Sequence, residues 1–409
     1  MQRNGEWTDF VGDFMSLTEG AMSPDIFRRW AAISLVAGAL ERRVWAVTSL
    51  GTCFPNLYVL LVGNPGIGKH IIENARQLWH DACQSGSKAP AFHVAPSSMT
   101  KASLIDRLAK AKTTKLTPKG PPLVYHSLLI AAEEFGVLLP DYDLEYIGTL
   151  NAIFNCDPVH EETRRHGPAQ EIRIENPQIN ILGGAQPAWL YSVFPENAWS
   201  TGISRRLIMV YSNETPFREF SDMPIEHEVA AEFMLHRLTD ISILYGQASW
   251  TKSAVVHFAK WHREGRPPKT THSKLVHYEG SRTLLATKLA VVSAVSRTGM
   301  TVIDEIDTRR AIEWLTDAER VMPDIFREMI GKSDSQVIDD LHFFVTALWA
   351  KSKQKPVNGE MIWEWLRQRV PSDKIEKILM VAERSNVLQR VPNSLDLWTP
   401  RPRHERGVE

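Results

Sequence analysis

Six apolar residues, Leu57-Tyr58-Val59-Leu60-Leu61-Val62, run unbroken into a glycine-rich turn, and similar runs recur at 91–94, 123–131, 178–184 and 206–211. Apolar runs of strand length with no polar alternation predict strands buried on both faces, as in a mainly parallel sheet covered by helices. Ahead of them, Ser23-Pro24-Asp25 reads as a helix start, and Ile26 to Val44 carries apolar residues at helical spacing. Residues 1–50 are therefore expected to form a helical segment and 51–215 an α/β core. Inside that core, Thr113 to Pro122 reads as a polar loop, Thr149 to Phe154 as a helix and Ile172-Arg173-Ile174 as a short strand. Beyond residue 222 the strand signal stops. Helices are predicted over 226–245, 251–264, 279–297, 305–320 and 322–331, giving an all-helical lid domain at 216–332. The pattern changes again at 333–400, with helices over 335–350, 358–368 and 373–385. Alternation at Leu388, Arg390, Leu395 and Leu397 around Pro392-Asn393-Ser394 then suggests a hairpin. Three helices and a hairpin make a winged helix. Residues 401–409 read as a frayed polar tail.

Composition narrows the class without changing this layout. The 409 residues are 43% hydrophobic and 23% charged, ordinary values for a globular chain that buries a sizeable core. A formal net charge of −1 excludes a global basic field, so any nucleic-acid surface must be local. Cys53, Cys83 and Cys156 lack metal-ligand spacing, and an odd thiol count suggests a reducing, cytoplasmic setting. No apolar stretch approaches membrane-span length, so no membrane partner is expected.

The chemistry concentrates after the first strand. Gly63-Asn64-Pro65-Gly66-Ile67-Gly68-Lys69-His70 supplies glycines that let backbone N–H groups approach phosphate oxygens, a lysine for the outer phosphates, and a following helix whose positive end faces the anion. That combination predicts nucleoside triphosphate binding. His70 stands where a hydroxyl normally ligates Mg²⁺, a hard cation that prefers oxygen. The run Ser127 to Ala132 ends in Glu133 and Glu134. One carboxylate suits the metal side and the other suits water activation, so Glu133 is expected at Mg²⁺ and Glu134 as the base. Gln186 ends the strand Asn180 to Ala185 and can hydrogen-bond water or the γ-phosphate, or simply cap the helix at Pro187. Ser204-Arg205-Arg206 precedes the last strand. An arginine there can reach across a subunit boundary as a charge-neutralising finger.

Together these four pieces resemble AAA+ P-loop ATPases, in particular minichromosome-maintenance-like modules and the replicative helicases of phages and prophages. The features that carry the resemblance are Gly63-Asn64-Pro65-Gly66, Glu133-Glu134-Phe135, Gln186-Pro187 and Ser204-Arg205, with Ala95 to Leu104 and Gly202 to Leu207 in support. It covers about 50–215. It implies a ring, with a hexamer expected, that binds ATP and Mg²⁺ and acts on DNA in replication, with a primase or other replisome protein as partner. By the same resemblance a lid arginine should lie over the nucleotide, and Arg282, with Lys288 behind it, is the candidate. His70, Glu133 in place of Asp and Gln186 in place of Asn depart from the family pattern.

The expected helix 373–385 places Ile375, Ile378, Leu379 and Ala382 at core spacing and turns Lys374, Lys377 and Arg384 outward. Residues 351–409 hold twelve Lys or Arg against eight Asp or Glu, a surplus suited to phosphate contact. The expectation is thus a ring-forming ATP-dependent helicase or translocase of a phage or mobile element. The alternative is a slow-turnover, nucleotide-gated helicase loader or initiator, which His70 favours. A metabolic P-loop kinase is disfavoured by Ser204-Arg205 and by the winged-helix tail.

Overall fold

The computed structural model describes residues 7–401 apart from 50, 85–91, 118–119, 140–142, 165–169, 194–201, 218–226, 271, 368–369, 371, 393 and 395. Internal contacts divide the chain into two compact units, Met1–Phe326 and Arg327–Glu409. The first opens with helices α1 (Phe10–Leu17) and α2 (Asp25–Leu40) and strands β1 (Val44–Thr48), β2 (Gly51–Cys53) and β3 (Tyr58–Val62). Next come α3 (Ile71–Gln84), α4 (Lys101–Lys110), β4 (Lys112–Lys115), β5 (Leu123–Ala132), α5 (Phe135–Leu138) and α6 (Leu144–Phe154). They are followed by β6 (Val159–Arg164), β7 (Gln170–Glu175), β8 (Pro177–Ala185), α7 (Pro187–Val193) and β9 (Leu207–Tyr211). The unit continues with α8 (His227–Ser242), β10 (Gly246–Trp250), α9 (Lys252–Arg263), α10 (Val276–Glu279), α11 (Arg282–Thr298) and β11 (Val302–Ile303). Helix α12 (Glu305–Lys351) starts in this unit and ends in the second.

The main sheet runs β4-β5-β8-β3-β9, with β5, β8, β3 and β9 mutually parallel and β4 antiparallel on the edge. Every residue of β3, β8 and β9 is buried, as unbroken apolar runs require when helices cover both faces of a sheet. The expected strand at 91–94 reduces to a parallel bridge between Val94 and Leu129, flanked by Leu129 N–H to His93 and Ala95 N–H to Leu129, both 2.8 Å.

Helix α2 is apolar on nearly every side, with Trp30, Ile33, Leu35, Val36 and Leu40 all fully buried. It packs against β3, β8, β9, α3, α8 and α11. The N-terminal segment is therefore part of the core of this unit, which is what an all-round hydrophobic helix implies.

The expected all-helical lid is corrected here. Strand β10 pairs in parallel with β1 and β11, making with β2 a second sheet of order β11-β10-β1-β2. β10 reads Gly-Gln-Ala-Ser-Trp with only Ala248 buried, so it is too polar and short to announce itself. The polar loop expected at 113–122 likewise overlaps β4, whose Lys-Thr-Thr-Lys pairs with β5 at the sheet edge. The separate helices expected at 305–320, 322–331 and 335–350 belong to α12, which carries Pro323 internally.

The second unit adds β12 (Val357–Asn358), α13 (Gly359–Arg367), α14 (Ser372–Arg384), β13 (Leu388–Arg390) and β14 (Leu397–Pro400) to the end of α12. Its strands form an antiparallel sheet of order β12-β14-β13. Leu341, Ile362, Leu366, Ile375, Ala382 and Trp398 centre its own core. The tail expected at 401–409 lies outside the described residues beyond Arg401. Among the described residues no helix is long and apolar enough to cross a membrane.

Candidate functional site

The loop between β3 and α3 turns on two glycines with left-handed backbones, Gly66 at φ 83° and Gly68 at φ 65°. L-residues with side chains rarely adopt that region. Gly68 is also crowded, because a Cβ there would lie 1.9 Å from the Met22 carbonyl oxygen. The segment ahead of α2 therefore lies directly on the loop, a contact no local pattern foretells. Among the described residues, no acceptor takes a hydrogen bond from the backbone N–H of Gly66, Gly68, Lys69 or His70. Successive outward N–H groups at a helix start form an anion-binding concavity.

Lys69 is buried, and its Nζ donates to the carbonyls of Gly63 (2.9 Å) and Ala185 (3.3 Å). Burial pulls its pKa below the usual lysine value, with Glu134 and then Glu133 opposing that shift. Both carboxylates are exposed at the end of β5, and Glu134 stands as N-cap of α5. Gly184, with no side chain, lets β8 close on that end: a Cβ there would meet the Glu133 carbonyl oxygen at 2.1 Å. Because β8 lies between β3 and β5, Gln186 at its end falls between the lysine and the two carboxylates. The carbonyl of Gln186 also accepts from Leu190 N–H (3.2 Å), so the residue starts α7 while lining the same cavity.

That cavity, about 200 Å³, is lined by Lys69, Glu133, Glu134, Gln186, Trp189 and the Gly184-Ala185 backbone. Four of the residues singled out from sequence thus converge. Trp189 was not foreseen; it packs edge-on to Phe135 at 5.8 Å and closes one wall. The loop N–H groups, a lysine and carboxylate oxygens fit a triphosphate with Mg²⁺. Among the described residues no group of three or more His, Cys, Asp or Glu could hold a metal by itself. Magnesium commonly keeps waters and substrate phosphates beside one or two carboxylates, so two carboxylates are chemically compatible with it. His70 is exposed next to the loop.

Other candidates lie elsewhere. Arg205 is exposed before β9, outside the cavity, with no ion pair among the described residues. Its neighbour Arg206 is held inward by Gly202 (2.8 Å) and Asn155 (2.9 Å), which leaves Arg205 as the outward guanidinium of the pair. Arg282 is not where the lid reading expects it. It is fully buried, with Nε 2.8 Å and Nη2 2.7 Å from the Glu319 carboxylate, and it does not line the cavity. A guanidinium taken out of water requires such a partner. Lys288 is also buried, donating to the Phe54 carbonyl (2.9 Å) and to Asn56. In the second unit, Ile375, Ile378, Leu379 and Ala382 are buried, while Lys377 and Arg384 are exposed and Lys374 is half-buried. Compared with known proteins, the chain matches no family model, and no curated protein is significantly similar to it.

Proposed function

We propose that this chain is an ATPase of the AAA+ class, built as an α/β P-loop core with a C-terminal winged helix, that works as a ring on DNA. The observation that carries the reading is the convergence of Lys69, Glu133, Glu134 and Gln186 on one cavity beside a loop whose Gly66, Gly68, Lys69 and His70 N–H groups meet no acceptor among the described residues. In the proposed reaction the loop N–H groups and Lys69 bind the phosphates, Lys69 exchanging its carbonyl partners for phosphate oxygens. Glu134 takes a proton from the attacking water as the new O–P bond forms on the γ-phosphorus. The bond from that phosphorus to the bridging oxygen breaks, and ADP leaves. Gln186 orients the water or the γ-phosphate. Mg²⁺, beside Glu133, would neutralise charge on the phosphate oxygens.

We take Arg205, exposed and outside its own cavity, as the group that completes a neighbour's site, which implies a ring with a hexamer expected. Lys374, Lys377 and Arg384 on one helix of the second unit supply a surface for DNA phosphates. By the motif resemblance, the biological setting is replication of a phage or mobile element, with a primase or replisome partner. The test is steady-state ATP hydrolysis with single-stranded DNA present. Glu134→Gln and Arg205→Ala should each lower turnover about 100-fold or more while retaining nucleotide binding. Unchanged turnover in both would overturn the reading.

A second reading, a nucleotide-gated helicase loader or initiator with slow turnover, is favoured by His70, whose imidazole replaces a magnesium-ligating hydroxyl. DNA stimulation of hydrolysis supports the motor, and its absence supports the loader. His70→Thr should raise turnover if that position limits metal binding.

A further inference from the structure

A second recess lies on the same unit, lined by residues of α3, of the extended segment 92–94 and of the end of α4. Its volume is about 350 Å³, within the range of small-molecule sites. Four basic or imidazole side chains line it: His80 from α3, His93 from the extended segment, and Arg107 and Lys110 from the last turn of α4. No carboxylate is among its described lining residues. The His93 Nε2 is buried and has no hydrogen-bond partner among the described residues. Cations in a final helical turn complement the helix dipole, which accounts for Arg107 and Lys110 taken alone. It does not account for two imidazoles brought to the same recess from other elements, one of them with a buried, unpaired nitrogen. Near His93 lies the buried carboxyl of Glu41, but that group accepts from Tyr125 (2.6 Å) and pairs with Arg43 (3.5 Å). Burial raises the Glu41 pKa from the usual carboxylate value, Arg43 and Tyr125 already engage the group, and it is not among the residues lining the recess.

We propose that this recess is a second phosphate-binding site, separate from the loop at residues 63–70. His93 donates from inside, and Arg107 and Lys110 close on the anion from the rim. α3 begins at the phosphate loop, and His80 lies nine residues along it, about 14 Å by helical rise. One nucleotide phosphate chain therefore does not fill both sites. The phosphate can belong to a free phosphorylated compound or to a nucleic-acid backbone; the recognition chemistry is shared.

Calorimetric titration of pyrophosphate into the full-length Lys69→Ala chain tests this. Because that substitution disables the loop at 63–70, the outcome does not depend on the proposed ATPase. One site is expected, weakened at least tenfold by Arg107→Gln with Lys110→Gln, both exposed positions. No binding, or binding indifferent to the two substitutions, overturns the proposal. If the Lys69→Ala chain does not fold, the His93 imidazole resonances of the unaltered chain give the same reading. They should shift with pyrophosphate, and that shift should vanish in the Arg107→Gln, Lys110→Gln variant; signals that never move refute the site. A fluorescent single-stranded oligonucleotide separates the sources. Affinity lost with the double substitution identifies a backbone phosphate, and affinity retained while pyrophosphate binding is lost identifies a free one.

Discussion

Gly66 and Gly68 sit two residues apart in one loop, both with positive φ, yet their surroundings differ. A Cβ on Gly66 meets nothing within 4 Å, whereas one on Gly68 falls 1.9 Å from the Met22 carbonyl oxygen and 2.6 Å from Ser23 Cα. Both Ala substitutions incur the left-handed penalty for an L-residue, about 1–2 kcal/mol. Ordinary contact distances are about 3.5 Å, so Gly68→Ala must also part the two backbones by roughly 1.5 Å. Overpacking of this kind adds about 1–3 kcal/mol. The expected losses are therefore about 1–2 kcal/mol for Gly66→Ala and about 2–5 kcal/mol for Gly68→Ala. Equilibrium urea unfolding, followed by tryptophan fluorescence, reads both in the same buffer. If the two variants unfold at the same midpoint, the Met22–Ser23 segment does not rest on the loop, and this part of the reasoning fails.

Removing one partner of a buried ion pair typically costs about 3–5 kcal/mol, so Arg282→Met should destabilise the first unit by that order while leaving nucleotide affinity unchanged. Loss of nucleotide binding at unaltered stability would restore a lid role for Arg282. Lys115 donates to the Ile243 carbonyl (3.0 Å), and burial brings its pKa down to about 8 from 10.5. Below pH 8 it is protonated in both folded and unfolded chains and opposes folding. Between about pH 8 and 10.5 the folded chain sheds that proton first, so wild type should gain stability over Lys115→Met across this window; a flat difference in urea midpoints contradicts the assignment. In the second unit, Lys377→Gln with Arg384→Gln should weaken single-stranded DNA binding and reduce its salt slope by about 1.4, read by fluorescence anisotropy at several salt concentrations. An unchanged slope removes α14 from the DNA surface.

The central strands were readable because burial on both faces leaves no polar residue to interrupt them: 57–62, 123–131, 178–184 and 206–211 all fall within a residue or so of the observed β3, β5, β8 and β9. Polar elements were less so. β10 owes its existence to pairing with β1 far back in the chain, and β4 and β6 are polar arms of local hairpins; of the β6–β7 ribbon only Ile172-Arg173-Ile174, inside β7, carried a strand signal. The grouping of the candidate residues was legible because Glu133, Glu134 and Gln186 stand just past strand ends and Lys69 in the loop after β3, so strand order brings them to one cavity. What escaped was long-range packing: α2 as the centre of its unit, Met22 against Gly68, Trp189 across the cavity, and Glu319 opposite Arg282. Spacing along α11 gives no sign that a helix-start arginine faces a carboxylate on α12.

The most direct measurement is calorimetric titration of ATP with Mg²⁺ into the unaltered chain and into Lys69→Ala. One nucleotide bound per chain, with affinity falling at least tenfold in Lys69→Ala, is the result expected of a phosphate loop serving this cavity. Absence of binding by the unaltered chain, or equal binding by both, contradicts it.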